Sequence, residues 1–189
     1  MLEDLLRGKK FSDPFVRDDL DRVPDDGRRY EILDGGLIVT PPPGWAHQRA
    51  VLELAVVLHA ACPAELEMLL APVILDDATN TVVLPDLAVA RRGKLTEKDL
   101  HGPPELAVEV VTWRTRGHDV DTKREVFERL GARSFWTVDP TPESGEVRLT
   151  AWESGDDGRY QEIANVSGES EYHAKLPYSV TVVPGALVR

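Results

Sequence analysis

The chain has 189 residues, 42% of them hydrophobic, and its 33 Asp and Glu outnumber 22 Lys and Arg, giving a net charge of −11 and a pI near 4.9. This is enough apolar material for one domain with its own core, and the charge has the wrong sign for holding nucleic acid by bulk electrostatics. The single cysteine, Cys62, excludes an intrachain disulfide and fits a reducing cytoplasm, while the longest apolar stretch, 68–75, is far short of the ~20 residues of a membrane helix.

Charges interrupt the first part of the chain, so no signal peptide is expected. One domain over 1–189 is expected, with 1–11 as a flexible N-terminal segment. Ser12 with Pro14 in the first turn predicts a short helix over 12–23. Tyr30-Glu31-Ile32-Leu33 and Leu37-Ile38-Val39-Thr40 flank Asp34-Gly35-Gly36, a hairpin signal, because Asp-Gly accepts the positive φ angles of a tight turn. Pro41-Pro42-Pro43 ends the hairpin, and a helix is predicted over 45–62, stopped by Pro63.

Extended segments follow at 66–70, 73–75, 82–84 and 86–90. The run Leu106-Ala107-Val108-Glu109-Val110-Val111 reads as a strand buried on both faces. A helix over 120–130 is closed by Gly131, and 134–138 is a further strand ended by Asp139-Pro140. The segments 147–152 and 160–166 flank Asp156-Asp157-Gly158 as a second hairpin, and 180–183 is a last strand. This order predicts a mixed sheet with helices on its faces, α/β or α+β, with the later acidic strands extending the sheet or building a dimer surface.

Glu109 is the most informative residue, because an ionised carboxylate inside a buried strand costs several kcal/mol without compensation. Asp86 opens the strand 86–90 after Pro85, on the face shared by Ala88 and Ala90. If the two strands are neighbours, both acids point to one side of the sheet, where a divalent cation would relieve their repulsion. Alone, Asp86 also reads as an ordinary turn residue. Lys123 falls at the centre of the apolar stripe Val120, Val126, Phe127, Leu130, so it must snorkel out or pair with a buried acid such as Glu109.

His47 lines up with Val51, Leu54 and Leu58 on the inner face of its helix, where a satisfied core histidine is the commoner case. For Glu31, an exposed strand acid is the default and a further ligand the alternative. Between Arg91 and Arg124, eight Lys and Arg stand against six Asp and Glu, a local +2 that leaves room for a polyanion. No Walker loop, GxGxxG, GxSxG, HExxH or paired CxxC occurs, and the five histidines have no zinc-like spacing.

Pro85-Asp86, Val108-Glu109-Val110, and Asp119 with Lys123 together resemble the PD-(D/E)XK nuclease superfamily, and most closely its Uma-two family of restriction-endonuclease-like proteins. Tyr30 to Gly35 resembles that family's first hairpin, Pro41-Pro42-Pro43 with His47 its Pro-rich link and helix start, and Phe135 to Pro140 the strand after its active-site helix. The resemblance spans about residues 12 to 185. It implies a restriction-endonuclease-like mixed central sheet flanked by helices, with N-terminal and C-terminal hairpin additions.

It further implies a Mg²⁺-dependent endonuclease, with Mn²⁺ as substitute, acting on DNA, cytoplasmic and homodimeric. Asp86 and Glu109 would bind the metal with the backbone carbonyl of Val110. Lys123 would replace the lysine that the superfamily usually carries two residues after the acid, where Val111 stands here. His47, Glu31 and Asp119 would support the site. Two positions depart from the family pattern: Gly36, where Glu is common, and Thr112-Trp113-Arg114-Thr115, in place of Ser-Pro-Ser-Thr. The rival expectation is a non-catalytic binding or assembly module with Glu109–Lys123 as a structural ion pair. A third is a hydrolase of smaller phosphate esters.

Overall fold

Three apolar runs, 87–91, 106–110 and 134–139, form the centre of a six-stranded sheet covered on both faces. The structure, a computed structural model, describes residues 13–111, 118–141 and 145–189, with the side chains of His118 and Asp119 left out. The first hairpin is β1 (Arg29–Leu33) and β2 (Gly36–Thr40), followed by helix α1 (Trp45–Ala61). Then come β3 (Leu66–Leu70), β4 (Ile74–Asp76), β5 (Thr81–Val83), β6 (Leu87–Arg91), β7 (Leu100–His101) and β8 (Leu106–Val110). Helix α2 (His118–Leu130) leads into β9 (Ser134–Asp139), β10 (Arg148–Ser154), β11 (Tyr160–Ser167), β12 (Tyr172–Ala174) and β13 (Val180–Val182).

The larger sheet has the order β11-β10-β9-β8-β6-β3; β8 and β9 run parallel and the other pairs antiparallel. Side-chain alternation sorts its two faces. Leu87, Val89, Leu106, Val108, Val110, Trp136 and Val138 share a core with Ala50, Leu54 and Leu58 of α1 and with Tyr172 and Val182 of the β12-β13 ladder. Ala90, Ala107 and Phe135 face the other way, against Val126 and Phe127 of α2. Ile74, Val83 and Leu100 reach this second core from a five-stranded sheet, β2-β1-β5-β4-β7, which includes the first hairpin. The expected mixed α+β architecture is therefore present, with the N-terminal hairpin built into a second sheet and the hairpin β10-β11 widening the first.

Turn chemistry matches the sequence where φ decides. Asp34 and Gly35 both adopt positive φ, 49° and 79°, in the two-residue turn of β1-β2. Gly131, at φ 82°, closes α2. The helix predicted over 12–23 is a correction: only a 3₁₀ turn, Arg17–Arg22, forms among the described residues. The Phe15 N–H donates to Gly35 O at 2.8 Å, and the Phe15 carbonyl accepts from Asn80 Nδ2 at 2.5 Å. That backbone is committed to bracing the hairpin turn and cannot enter a helical ladder. The turn starts only at Val16, whose N–H donates to the Asp19 carboxylate at 2.8 Å.

Candidate active site

Antiparallel register brings the two acids together. β6 and β8 pair Leu87 with Val108 and Ala88 with Ala107, so one further step sets Asp86 opposite Glu109. The Val110 N–H donates to Asp86 Oδ2 at 2.8 Å and fixes that juxtaposition. Both carboxylates lie on the α2 side, where alternation also places Ala107 and Ala90. Asp86 is 3% exposed, Glu109 6% and Lys123 6%.

Lys123 sits between two sheets. Its Nζ donates to Glu109 Oε1 at 2.9 Å and lies 2.9 Å from Glu31 Oε2, off the angle of a directed hydrogen bond in the second case. The stripe argument for Lys123 thus holds, with one partner more than the helix pattern suggests. Glu31 is fully buried, which corrects its default reading as an exposed strand acid. Its other oxygen accepts the Leu84 N–H at 2.8 Å, a donor free because β5 ends at Val83.

His47 is hydrogen-bonded, as the commoner reading of a core histidine has it, and its partner is a carboxylate of the cluster. It reaches Asp86 from the first turn of α1, with Nε2 3.1 Å from Oδ2. An ionised carboxylate only accepts, so Nε2 carries the proton and donates. His47 Nδ1 is buried without a hydrogen-bond partner among the described residues.

Sequence reasoning missed Arg29. Its guanidinium donates to Asp86 Oδ1 at 2.8 Å and to the Leu84 carbonyl at 3.1 Å. Strand alternation places Arg29 on the face of Glu31, two residues on, but does not say which face of the hairpin is covered. Asp119 belongs to α2, but its side chain lies outside the described residues, as does the loop 112–115. Gly36 is exposed at the start of β2 and supplies no ligand.

The electrostatics follow from burial and sign. For Asp86, burial acts to raise the pKa; the His47 hydrogen bond, the Arg29 charge and the Val110 N–H outweigh it and hold the carboxyl below its usual range. For Glu109, burial dominates and the nearby Asp86 and Glu31 charges add to it, so despite Lys123 the pKa rises to about 8. Burial disfavours the charged forms of Lys123 and Arg29, but their acidic neighbours prevail and keep both protonated. The site thus holds three acids, Glu31, Asp86 and Glu109, against two permanent cations.

A cavity of about 950 Å³ opens over this cluster, lined by Arg29, His47, Asp86, Glu109, Val110 and Lys123, with Trp45 and Pro41-Pro42-Pro43 also on its wall. Among the described residues no three His, Cys, Asp or Glu side chains gather closely enough to hold a metal alone. The donor set still suits a hard cation that keeps several waters. Among the described residues Asp86 Oδ1 accepts a hydrogen bond from Arg29, and a carboxylate oxygen has a second lone pair for a ligand. The Lys123 contact of Glu109 is made through Oε1, and a cation at Oε2 would take the place of the proton that the raised pKa holds there.

A mixed α+β fold defines the structural class, and comparison with known proteins agrees with it. Residues 17–180 match the Uma2 family model, described as "Putative restriction endonuclease", and the chain belongs to that family. A crystal structure of a "putative nuclease belonging to DUF820" from Anabaena variabilis ATCC 29413 has a similar fold, with a TM-score of 0.63 at 14% identity over 87% of this chain and 90% of that one. No curated protein matches the sequence. Among the described residues no helix is long and apolar enough to cross a membrane.

Proposed function

We propose that this chain is a Mg²⁺-dependent endonuclease that hydrolyses phosphodiester bonds in DNA, with Mn²⁺ able to substitute. One observation carries the reading: Asp86 and Glu109 lie opposite one another on a buried sheet face, with Lys123 Nζ 2.9 Å from Glu109 Oε1, under an open cavity. Asp86, Glu109 and the Val110 carbonyl would hold the ion. Bound there, it would act as a Lewis acid on the phosphate and make water a better nucleophile.

The chain's own groups have distinct tasks. Arg29, His47 and the Val110 N–H fix the orientation of Asp86. Glu31 anchors Lys123, and the ammonium, held charged in a poorly hydrated site, stabilises negative charge developing on the phosphate and helps orient the attacking water. We further propose a homodimer, the commonest closed assembly.

A second reading is favoured by how fully the charges are already paired. Asp86 accepts from three donors and Lys123 bridges two acids, which suits a non-catalytic module as well. Calorimetric titration of Mn²⁺ separates the two. Saturable binding to the wild type, lost in Asp86→Ala, followed by metal-dependent cleavage of DNA that the same variant lacks, supports the nuclease. Cleavage that survives in folded Asp86→Ala rejects the assigned residues.

A further inference from the structure

Trp45 is 73% exposed, the most exposed large hydrophobic side chain among the described residues. It opens α1 and lines the outer part of the cavity whose buried end carries Asp86, Glu109 and Lys123. Pro41, Pro42 and Pro43 are exposed on the same wall, and their fixed φ angles make a stiff approach to the indole. Two residues further on, His47 touches Asp86.

The cavity offers little to a duplex. Among the described residues, each Lys or Arg that lines it is paired with a carboxylate: Arg17 with Asp21 at 2.9 Å, Arg28 with Asp26 at 2.9 Å, Arg29 with Asp86 at 2.8 Å, and Lys123 with Glu109 and Glu31 at 2.9 Å. Duplex binding without sequence readout rests on unpaired cations displacing counterions, and a net charge of −11 works against it. A duplex also keeps its base faces stacked inside, out of reach of an indole. A single strand carries the same phosphates but presents its base faces, so stacking on an aromatic side chain adds an attraction, about 1–3 kcal/mol per base, that a duplex cannot gain.

Burial of the reacting groups points the same way. The scissile phosphate must enter a cavity of about 950 Å³, a size typical of small-ligand pockets, which a flexible strand does at less cost than a stacked rod. We infer that the cavity takes an unpaired nucleic-acid strand, with Trp45 as the stacking platform for a base next to the scissile phosphodiester. This rests on the nuclease reading and specifies its substrate class.

The test compares a labelled single-stranded oligonucleotide, as DNA and as RNA, with the same DNA annealed to its complement. Anisotropy in Ca²⁺ reads binding, and cleavage is then followed in Mn²⁺. The single strand should bind about tenfold tighter than the duplex; Trp45→Ala should lose about tenfold of that affinity, Trp45→Phe should keep most of it, and Mn²⁺ binding should be unchanged in both. Preference for the RNA strand supports the inference and corrects the DNA assignment. Equal handling of duplex and single strand, with Trp45→Ala matching wild type, overturns the inference and leaves the nuclease reading standing. A Trp45→Ala variant that changes self-association by light scattering but not oligonucleotide binding overturns it in favour of a protein contact. No binding or cleavage of any oligonucleotide overturns both readings.

Discussion

Burial and three neighbouring charges act on the Glu109 carboxyl at once, and burial prevails. Its pKa rises from 4.5 to about 8, so the folded chain holds that proton more tightly than the unfolded one. The stabilisation from this proton is complete below pH 4.5, declines as pH rises and is gone above about 8. In EDTA, the urea stability of the wild type relative to Glu109→Gln should therefore fall steadily from pH 5 to pH 8. A difference independent of pH rejects the assignment. Glu109 and Lys123 were legible because an acid in an apolar strand and a lysine on an apolar helix stripe each break a strong local pattern. Arg29 and the burial of Glu31 were not. Both lie on a hairpin strand whose alternating pattern is equally good with either face outward, and only the second sheet decides which face is covered.

At the scale of elements, Lys123 ties α2 to both sheets through Glu109 in β8 and Glu31 in β1. Lys123→Met leaves two buried acids without their cation and should cost about 3 kcal/mol, at the low end for a broken buried pair because Glu109 is readily protonated. Replacing Glu109 as well is not sufficient, since Glu31 stays buried. The triple variant Lys123→Met, Glu109→Gln, Glu31→Gln should regain most of the loss, measured by urea unfolding at pH 7. If the double variant already recovers fully, Glu31 is not a true partner of Lys123.

The first hairpin gives a second check. Gly35 has φ 79° and a Cβ there would lie 2.8 Å from Pro14 Cβ, whereas Gly158, at φ 76°, has nothing within 4 Å. Gly35→Ala should cost about 2 kcal/mol or more, and Gly158→Ala about 1 kcal/mol, from strain alone. Equal losses would mean that the Pro14 segment does not brace the turn. That bracing is why the helix predicted over 12–23 fails: the partners of Phe15, Gly35 and Asn80, are remote in sequence, and no local signal reveals them.

For the whole molecule, local strand patterns foretold most strands but not their division into a six-stranded and a five-stranded sheet, because pairings such as Ile32 with Val82 are set by packing at long range. The site lies where elements of both sheets and both helices meet, so metal binding should report on global folding. A ligand that binds only the native state at about 100 times its Kd stabilises by about 2.7 kcal/mol. For a chain of this size that corresponds to a rise of about 5–10 °C in Tm. A net charge of −11 means that any divalent cation also screens self-repulsion, so the wild type alone is not diagnostic. Asp86→Ala and Glu109→Gln change the net charge by at most one unit and should retain the screening part. Saturable Mn²⁺ stabilisation of the wild type, reduced in both variants to a small and unsaturable rise, is the expected result. Equal saturable shifts in all three would place the binding groups outside this cluster.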